Sequence, residues 1–213
     1  MYLSRILLLD NNNSDFNRDT MRALTSLNRF HGALSICFPG ERTRHLWRID
    51  NLKDALYLLI LSKEEPNFTS FCQQFSPTED SWETKNYDTL LNNLTDGSTW
   101  RFRLTANPTV SKSHKGNNGQ GKIQACEIVE DQKKWLLNRA ERHGFQLLYD
   151  DFDVVQNKWK IFTKSDGHRI SLLSVTFEGI LTITNVELFR KALVNGIGRG
   201  KAYGMGLLTI IHV

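Results

Sequence analysis

Histidine is the residue type in this chain best suited to acid and base chemistry, because its imidazole gains and loses a proton near neutral pH. The sequence contains six histidines: His31, His45, His114, His143, His168 and His212. His31 stands in LNRFHGALSICFP at residues 27–39, on or beside the apolar face that Leu24, Leu27 and Leu34 form at helical spacing. A histidine in this setting is more often a packed core residue than a catalytic one. The pattern alone leaves both interpretations open.

Glycine and basic side chains are concentrated in GIGRGKAYGMGLLTI at residues 196–210. Arg199 and Lys201 stand here among five glycines: Gly196, Gly198, Gly200, Gly204 and Gly206. Glycine adopts left-handed backbone angles and leaves its N–H accessible, which suits either a bound phosphate or close packing against another part of the protein. Both interpretations stay open. The segment lacks the G-x-x-x-x-G-K-[ST] pattern of a Walker loop, and it does not follow a first strand as a Rossmann loop does.

No metal site and no cofactor are predicted. The chain has three cysteines: Cys37, Cys72 and Cys126. They never form a C-x-x-C pair, which argues against a zinc ribbon or a disulfide scaffold and favours reduced structural thiols. Asp150, Asp151 and Asp153 cluster, but no glycine-bearing calcium loop follows them, so we interpret them as a solvated turn.

Basic charge belongs to the second half of the chain. Residues 1–96 carry 10 Lys and Arg against 13 Asp and Glu, whereas residues 97–213 carry 17 against 10. Residues 97–126 contain no acidic residue, and their basic residues are Arg101, Arg103, Lys112, Lys115 and Lys122. This stretch carries a positive field toward a polyanion, of which nucleic acid is the simplest. A solvated basic face is the alternative, since charge runs are weak evidence.

Apolar spacing in the first half predicts the order strand, helix, strand, strand, helix, strand. The strands are predicted at residues 2–9, 44–50, 54–62 and 81–88, and the helices at about 15–34 and 68–75. This is the order of a ferredoxin-like domain. The polar stretch 91–98, which contains a glycine, is a plausible domain junction.

The second half is predicted to repeat this order. Strands are predicted at residues 99–107, 145–155, 159–164, 170–177 with an extension over 180–184, and 206–213; helices are predicted at 130–143 and from 186 to 195. Alternation along the strand at 99–107 places Arg101 and Arg103 on one face. Asn185 can cap the last helix, and Gly196 ends it. Residues 111–121 are predicted to form a loop rich in Gly, Asn and Lys.

The predicted fold class is therefore α+β, with two tandem ferredoxin-like (RRM-like, βαββαβ) domains at residues 1–95 and 96–213. The length is sufficient for two small cores. The opening apolar run is followed too soon by Asp10 and Asn11 for a signal peptide, and no stretch approaches the ~20 apolar residues of a membrane span. We expect a soluble, cytoplasmic protein.

Four segments taken together resemble the CasE family of CRISPR-associated endoribonucleases, in family order and at family spacing. They are MYLS at residues 1–4, FRLTANP at 102–108, FEGILTI at 177–183 and GIGRGKAYGMGLLTI at 196–210. The last is the most specific. A glycine-rich segment near the C terminus is typical of the wider group of repeat-associated RNA-binding proteins. The form of this segment here, G-x-G-x-G-K-A-x-G-x-G-L-L, resembles that of CasE.

The resemblance implies an endoribonuclease that processes CRISPR precursor RNA without a metal. In this chemistry the ribose 2′-hydroxyl attacks the adjacent phosphorus, a base takes its proton, and an acid protonates the departing 5′-oxygen. The family's catalytic histidine lies on the first helix before a hydrophobic stretch, which matches His31. Family members can carry a tyrosine three residues earlier, where this chain has Asn28. An amide transfers no proton, so Asn28 can only orient a group or hydrogen-bond the phosphate, and the acid and base assignment stays open.

Cations complete the candidate site. The phosphorane is stabilised by nearby positive charge, for which the candidates are Lys112, Lys115, Arg199 and Lys201. The segment 158–169 resembles the basic hairpin that the family inserts along the RNA stem, and its candidates are Lys158, Lys160, Lys164, His168 and Arg169. A-form RNA hides its major-groove bases, so such a hairpin reads phosphates and shape. For any single lysine, a solvated position is an equal alternative.

By the same resemblance, the partners are the CRISPR repeat RNA stem-loop and the other subunits of the Cascade complex, and no membrane is involved. The product crRNA stays bound through its 3′ hairpin. A module of the same fold that binds RNA without cutting it is the alternative, which Asn28 keeps open. An unrelated small-molecule enzyme that uses the glycine-rich segment as an anion site is a third possibility.

Overall fold

The computed structural model describes residues 1–10, 18–25, 27–38, 45–112, 121–163 and 166–213, without the side chains of Asn28 and Lys112. The chain divides into two compact units. Unit 1 comprises Met1–Asn93, Phe162–Ile170 and Lys201–Leu207, and unit 2 comprises Leu94–Ile161, Ser171–Gly200 and Leu208–Val213. The domains 1–95 and 96–213 stay a prediction about which parts fold independently.

The first half of the chain forms one sheet and its helices. The strands are β1 (Tyr2–Asp10), β2 (Leu46–Leu52), β3 (Ala55–Ser62) and β4 (Trp82–Asn86), and the helices are α1 (Arg18–Thr25), α2 (Asn28–Ile36), α3 (Thr69–Phe75) and α4 (Asp88–Asn92). The sheet is antiparallel in the order β2-β3-β1-β4, so β2 is an edge strand. This order, with helices between β1 and β2 and between β3 and β4, is that of a ferredoxin-like domain.

The core of unit 1 lies between this sheet and the helices. Ile6, Leu58 and Ile60 are fully buried on the strands, where side chains alternate between the two faces. The Phe30 and Phe75 rings lie 5.2 Å apart between centroids, which packs α2 against α3. Aromatic contacts of this kind add to the stability that apolar burial gives, and they fix the position of α2.

The second half of the chain contains a five-stranded sheet and a separate two-stranded hairpin. Its strands are β5 (Thr99–Ala106), β6 (Thr109–Lys112), β7 (Lys122–Ala125), β8 (Phe145–Gln146), β9 (Phe152–Thr163), β10 (Arg169–Ile183) and β11 (Leu208–His212), and its helices are α5 (Val129–Ala140) and α6 (Val186–Asn195). The order is β11-β5-β10-β8, with β9 also paired to β10, while β6 and β7 form a separate hairpin. With α5 and α6 as the two connecting helices, this is again the ferredoxin-like order.

Several local predictions are confirmed. Trp100, Phe102 and Leu104 are buried on β5 while Arg101 is exposed, as the alternation predicts. The Asn185 side chain accepts a hydrogen bond from the Leu188 N–H at 3.0 Å, which satisfies one of the open donors at the start of α6. α6 ends at Asn195, and Gly196, whose φ is 71°, is its C-cap.

Other local predictions are wrong. The helix predicted over 15–34 is two helices, α1 and α2, with Leu27 in a turn before α2. The apolar spacing continues from one helix into the next, so it does not reveal this division. The predicted loop 111–121 includes the end of β6, and its residues 113–120 lie outside the described residues. The predicted junction 91–98 includes the end of α4 and the boundary between the two units at Asn93 and Leu94, and it stays a prediction.

The strand predicted over 145–155 is also wrong. β8 ends at Gln146, and β9 begins at Phe152 and continues without a break to Thr163. The intervening turn packs on β10 at Gly179, where an added Cβ would lie 2.2 Å from the Asp151 carbonyl oxygen. The Ile180 N–H donates to that same oxygen at 2.9 Å. This turn therefore depends on a contact between residues distant in sequence, which local patterning does not contain.

None of the helices in the described part of the chain is both long enough and apolar enough to cross a membrane.

Candidate active site and nucleic-acid interface

His31 lies on the exposed side of α2. Its neighbour Phe30 is 0% exposed and packs in the aromatic core, whereas His31 is exposed. The His31 N–H donates to the Leu27 carbonyl at 3.1 Å, which fixes the residue within the first turn of the helix. The packed-core interpretation of His31 is therefore wrong, and its imidazole is open to a substrate. Asn28 is the first residue of α2, one turn earlier, and its side chain lies outside the description.

His45 is a second histidine close to this helix, and sequence reasoning did not single it out. Its ring stacks on Phe38, two residues past the end of α2, with 3.7 Å between centroids. Burial lowers the pKa of His45, a hydrogen bond with the Leu61 backbone and the charge of Glu64 work against that shift, and the charge of His31 adds to the lowering as the smallest of these effects. The two imidazoles therefore interact electrostatically. No local signal marks His45, because the relation appears only when β2 packs beside α2.

The second part of the glycine-rich segment also lies beside this helix. Lys201–Tyr203 form a 3₁₀ turn next to both α2 and β2, within unit 1. The Tyr203 ring packs on Phe162 with 4.9 Å between centroids. The structure thus brings the backbone that carries Lys201 next to the helix that carries His31.

The predicted glycine-rich loop has an unusual backbone throughout. φ is positive, between 71° and 90°, at all five glycines: Gly196, Gly198, Gly200, Gly204 and Gly206. At two of them an added side chain would also meet a tryptophan, as a clash at Gly204 and as a tight contact at Gly198. An added Cβ would lie 2.7 Å from Trp47 Cζ3 at Gly204, and 3.1 Å from Trp135 Cη2 at Gly198. Close packing, one of the two interpretations that the sequence left open, is what these two glycines serve.

The other candidate cations for the phosphorane are not part of the described portion of unit 1. Arg199 belongs to unit 2, where its backbone bridges to Asn107. Lys112 ends β6 opposite Lys122, and its side chain is not described. Lys115 lies outside the described residues.

The two arginines of β5 differ in their surroundings. Arg101 is exposed. Arg103 is partly buried, and its Nη1 lies 2.9 Å from Glu178 Oε1 on the neighbouring strand β10. The carboxylate offsets much of the charge that Arg103 would present to a phosphate, so Arg101 is the better placed of the two for RNA.

The predicted basic hairpin is the β9–β10 pair. Lys158 and Lys160 are two residues apart on β9, so their side chains lie on the same face of the strand. Lys158 is exposed and Lys160 is half-buried. Burial lowers the pKa of Lys160 to about 8, and the charge of Lys158 adds to the shift. A lysine with this pKa changes its charge state close to physiological pH.

The turn side of the hairpin supplies further polar groups. The exposed His168 ring has its Nδ1 3.2 Å from Asp166 Oδ1, and Arg169 is exposed at the first position of β10. Lys164 lies outside the described residues. On β9, the aromatic Trp159 is 46% exposed, which sequence reasoning missed although it stands between two lysines. An exposed indole beside cations can stack on an unpaired base.

Within the described ranges, no three His, Cys, Asp or Glu side chains come together as a metal site would require. The thiols of Cys37, Cys72 and Cys126 are all buried. Burial raises the pKa of Cys37 to about 12, so this thiol stays protonated at neutral pH and is a poor nucleophile.

The fold and its side chains define an α+β protein of two ferredoxin-like halves, which has an exposed histidine on α2 and exposed basic side chains on β5 and β9. The family described as CRISPR associated protein matches residues 1–212, and the chain belongs to this family. The CRISPR-associated endoribonuclease Cse3 of Thermus thermophilus is 29% identical over 193 residues, 84% of this chain and 84% of that protein. The CRISPR system Cascade subunit CasE of Escherichia coli is 30% identical over 115 residues, 51% of this chain and 56% of that protein.

A solved structure supports the same assignment. Thermus thermophilus Cse3 bound to an RNA representing a pre-cleavage complex superposes with a TM-score of 0.76 at 25% identity, covering 99% of this chain and 98% of that one. The resemblance to CasE and the tandem ferredoxin-like fold class are thereby confirmed.

Removal of the His31 imidazole is expected to raise the pKa of His45, because the charge of His31 lowers it. NMR titration of the His45 ring protons in wild type and His31→Ala measures this shift. His212→Ala is the control, since that ring packs on Trp100 in unit 2 and its loss leaves the His45 titration unchanged. An identical His45 titration in wild type and His31→Ala would show that the two imidazoles are too far apart to interact.

RNA affinity is expected to fall as the pH rises above about 8, because the Lys160 ammonium, whose pKa is lowered to about 8, then loses its charge. Bound phosphate stabilises the ammonium, so in the complex Lys160 loses its proton at a somewhat higher pH than in the free protein. Fluorescence anisotropy with a stem-loop RNA between pH 7 and 9.5 should show a weakening of about tenfold, the ~1.4 kcal/mol of one charge-assisted contact.

Lys160→Arg is expected to bind almost independently of pH over this range, because a guanidinium stays charged. Lys134→Arg, an exposed position on α5, is the matched control and keeps the wild-type pH dependence. If RNA binding by Lys160→Arg weakened with rising pH as steeply as binding by wild type, Lys160 would not be the group responsible for the pH dependence.

Proposed function

We propose that this protein is a metal-independent endoribonuclease that cleaves CRISPR precursor RNA within its repeats, at the 3′ side of the stem-loop. After the cut it keeps the crRNA 3′ hairpin as a subunit of Cascade, and it works in the cytoplasm, where the transcript is made. The observation that carries the proposal is the exposed His31 on α2 with the Lys201 turn beside the same helix. The printed names of the relatives support it: one is called an endoribonuclease and the other a Cascade subunit.

Cleavage needs no group from outside the RNA other than a base and an acid. The 2′-oxygen forms a bond to phosphorus, the bond from phosphorus to the 5′-oxygen breaks, and the products are a 2′,3′-cyclic phosphate and a 5′-hydroxyl. One proton leaves the 2′-hydroxyl and one reaches the 5′-oxygen. We assign one of these two transfers to His31, whose imidazole is exposed on α2. Asn28 contributes orientation or a hydrogen bond to the phosphate, since an amide exchanges no proton.

Lys201 is the cation that we assign to the phosphorane. Of the four candidates, Lys201 stands in a turn that lies beside α2 in the same unit, whereas Arg199 and Lys112 belong to unit 2. A fixed ammonium near the scissile phosphate stabilises charge as it develops in the transition state.

Binding is a separate task, which we assign to the second half of the chain. Arg101 on β5, Lys158 and Lys160 on β9, and Arg169 on β10 present positive charge for phosphates. Exposed Trp159 adds a surface on which an unpaired base can stack. These groups hold the stem-loop by shape and charge and take no part in the chemical step.

Replacement of His31 by alanine is expected to slow cleavage of the cognate repeat RNA by at least about 100-fold, because a proton-transfer group is lost. The assay is single-turnover cleavage in EDTA, with mass spectrometry of the 3′ end to detect the cyclic phosphate. RNA affinity should stay within about threefold of wild type, since one exposed imidazole adds little binding energy. His212→Ala is the control and should cut at the wild-type rate.

The second candidate function is an RNA-binding subunit that does not cut, which the amide at Asn28 favours. Tight binding of the repeat without any cleavage would support that function and contradict ours. Cleavage that required Mg²⁺, or that survived His31→Ala unchanged, would also contradict the mechanism. Failure to bind any structured RNA would favour the third possibility, a small-molecule enzyme.

Replacement of Lys201 by alanine is expected to lower the cleavage rate by about 100-fold or more while weakening RNA binding by less than about tenfold. The reason is that this charge acts mainly on the transition state, and Lys201→Arg should recover part of the rate. Lys191→Ala, an exposed lysine on α6, is the control. Equal losses of rate and affinity in Lys201→Ala would make Lys201 a binding residue only.

A further inference from the structure

The Trp47 side chain connects the glycine-rich segment to the helix that carries His31. Gly204 approaches one edge of the ring so closely that an added Cβ would lie 2.7 Å from Cζ3. On another side, the ring centroid lies 6.3 Å from that of Phe30 in an edge-to-face contact with 64° between planes. Trp47 is 1% exposed and Phe30 is 0% exposed, so both rings lie in the interior, where side chains are in general closely packed. Phe30 directly precedes His31 in α2.

A buried ion pair holds the other end of the same segment. Arg48 Nε and Nη2 donate to Asp50 Oδ1 and Oδ2 at 2.8 and 2.7 Å, and Arg48 Nη1 donates to the Leu207 carbonyl at 2.9 Å. Arg48 and Asp50 are 2% and 3% exposed. A charged pair this deep is tolerated only when its hydrogen bonds are made, so the Leu207 carbonyl is strongly constrained.

These two contacts lie on opposite faces of β2. Trp47 and Arg48 are consecutive residues of the strand, and consecutive side chains of a strand point to opposite faces. Both are buried, so both faces of this edge strand are covered at this point. The residues from Gly204 to Leu207 are therefore fixed to both faces of β2, and the Lys201–Tyr203 turn directly precedes them beside α2.

We propose that Trp47 and the Arg48–Asp50 pair are positioning residues for cleavage. By fixing residues 204–207 to β2, they hold the turn that carries Lys201 in one place relative to His31. The inference rests on the proposed function, because it concerns the relative placement of two groups to which we assign the chemistry. A purely structural role predicts a loss of stability in their variants; a positioning role predicts a loss of cleavage rate in folded variants that still bind RNA.

The first test is Gly204→Ala, which places a methyl group against the Trp47 ring. The single-turnover rate is expected to fall about tenfold or more, while RNA affinity measured by anisotropy stays within about threefold of wild type. Gly97→Ala is the matched control, because Gly97 also has a positive φ, 80°, but nothing lies within 4 Å of an added Cβ. Equal rates in the Gly204→Ala and Gly97→Ala variants would overturn the proposal.

The second test asks whether the two positions act through each other. Trp47→Leu makes room for the methyl group, so the double variant Gly204→Ala with Trp47→Leu is expected to cleave about threefold or more faster than Gly204→Ala alone. If the two effects were independent, the double variant would be slower than wild type by the product of the two single losses, and that result would overturn the proposal.

The third test removes the ion pair without leaving a buried charge. The double variant Arg48→Met with Asp50→Leu fills the space of the ion pair with apolar side chains, and we expect it to fold. It leaves the Leu207 carbonyl without its guanidinium donor. With circular dichroism and RNA affinity as in wild type, the cleavage rate should fall about tenfold. A wild-type rate in this folded variant would overturn the positioning role. If the wild-type protein itself did not cleave the RNA, the proposed function would be overturned instead.

Discussion

A guanidinium from the second strand of the chain, Arg48, holds a carbonyl oxygen near its C terminus, at Leu207, while a carboxylate two residues away completes the pair. The contact joins positions 159 residues apart in sequence. Because both charges are almost fully buried, the energetic penalty for separating them is large, and the segment between Lys201 and Leu207 has little freedom to move away from β2. Everything that we infer about the chemistry follows from this constraint, since it places a cation-bearing turn beside the helix with the exposed histidine.

The basic residues to which we assign a role divide into two groups. One lies on β5, β9 and β10, where charge and an exposed indole can grip phosphates and an unpaired base over a wide area. The other is the single lysine in the turn beside α2. Affinity for a polyanion accumulates from many weak contacts, whereas acceleration of cleavage depends on one charge at the right point. This division explains why charge composition indicated a polyanionic partner, with a solvated face as the alternative, but did not single out Lys201, to which we assign the transition state.

Much of the fold could be predicted from sequence, because its strands and helices follow simple periodicities. The alternation on β5 and the cap at Asn185 are local and were predicted correctly. The turn before β9 was not, since it exists because Gly179 lets the Asp151 carbonyl approach β10. For the site, the resemblance pointed to His31 and the structure shows it exposed. Neither the position of His45 beside α2 nor the contacts of Trp47 with Phe30 and Gly204 could be foreseen, as both arise from packing between elements distant in sequence.

The most direct measurement is a crystal structure of the protein with a repeat RNA that carries a 2′-deoxy sugar at the scissile position, which blocks the attack but keeps the phosphate. We expect the scissile phosphate to lie within about 4 Å of both the His31 imidazole and the Lys201 ammonium, the distance over which such groups act directly. A scissile phosphate bound away from α2, with either group pointing into solvent, would contradict the account.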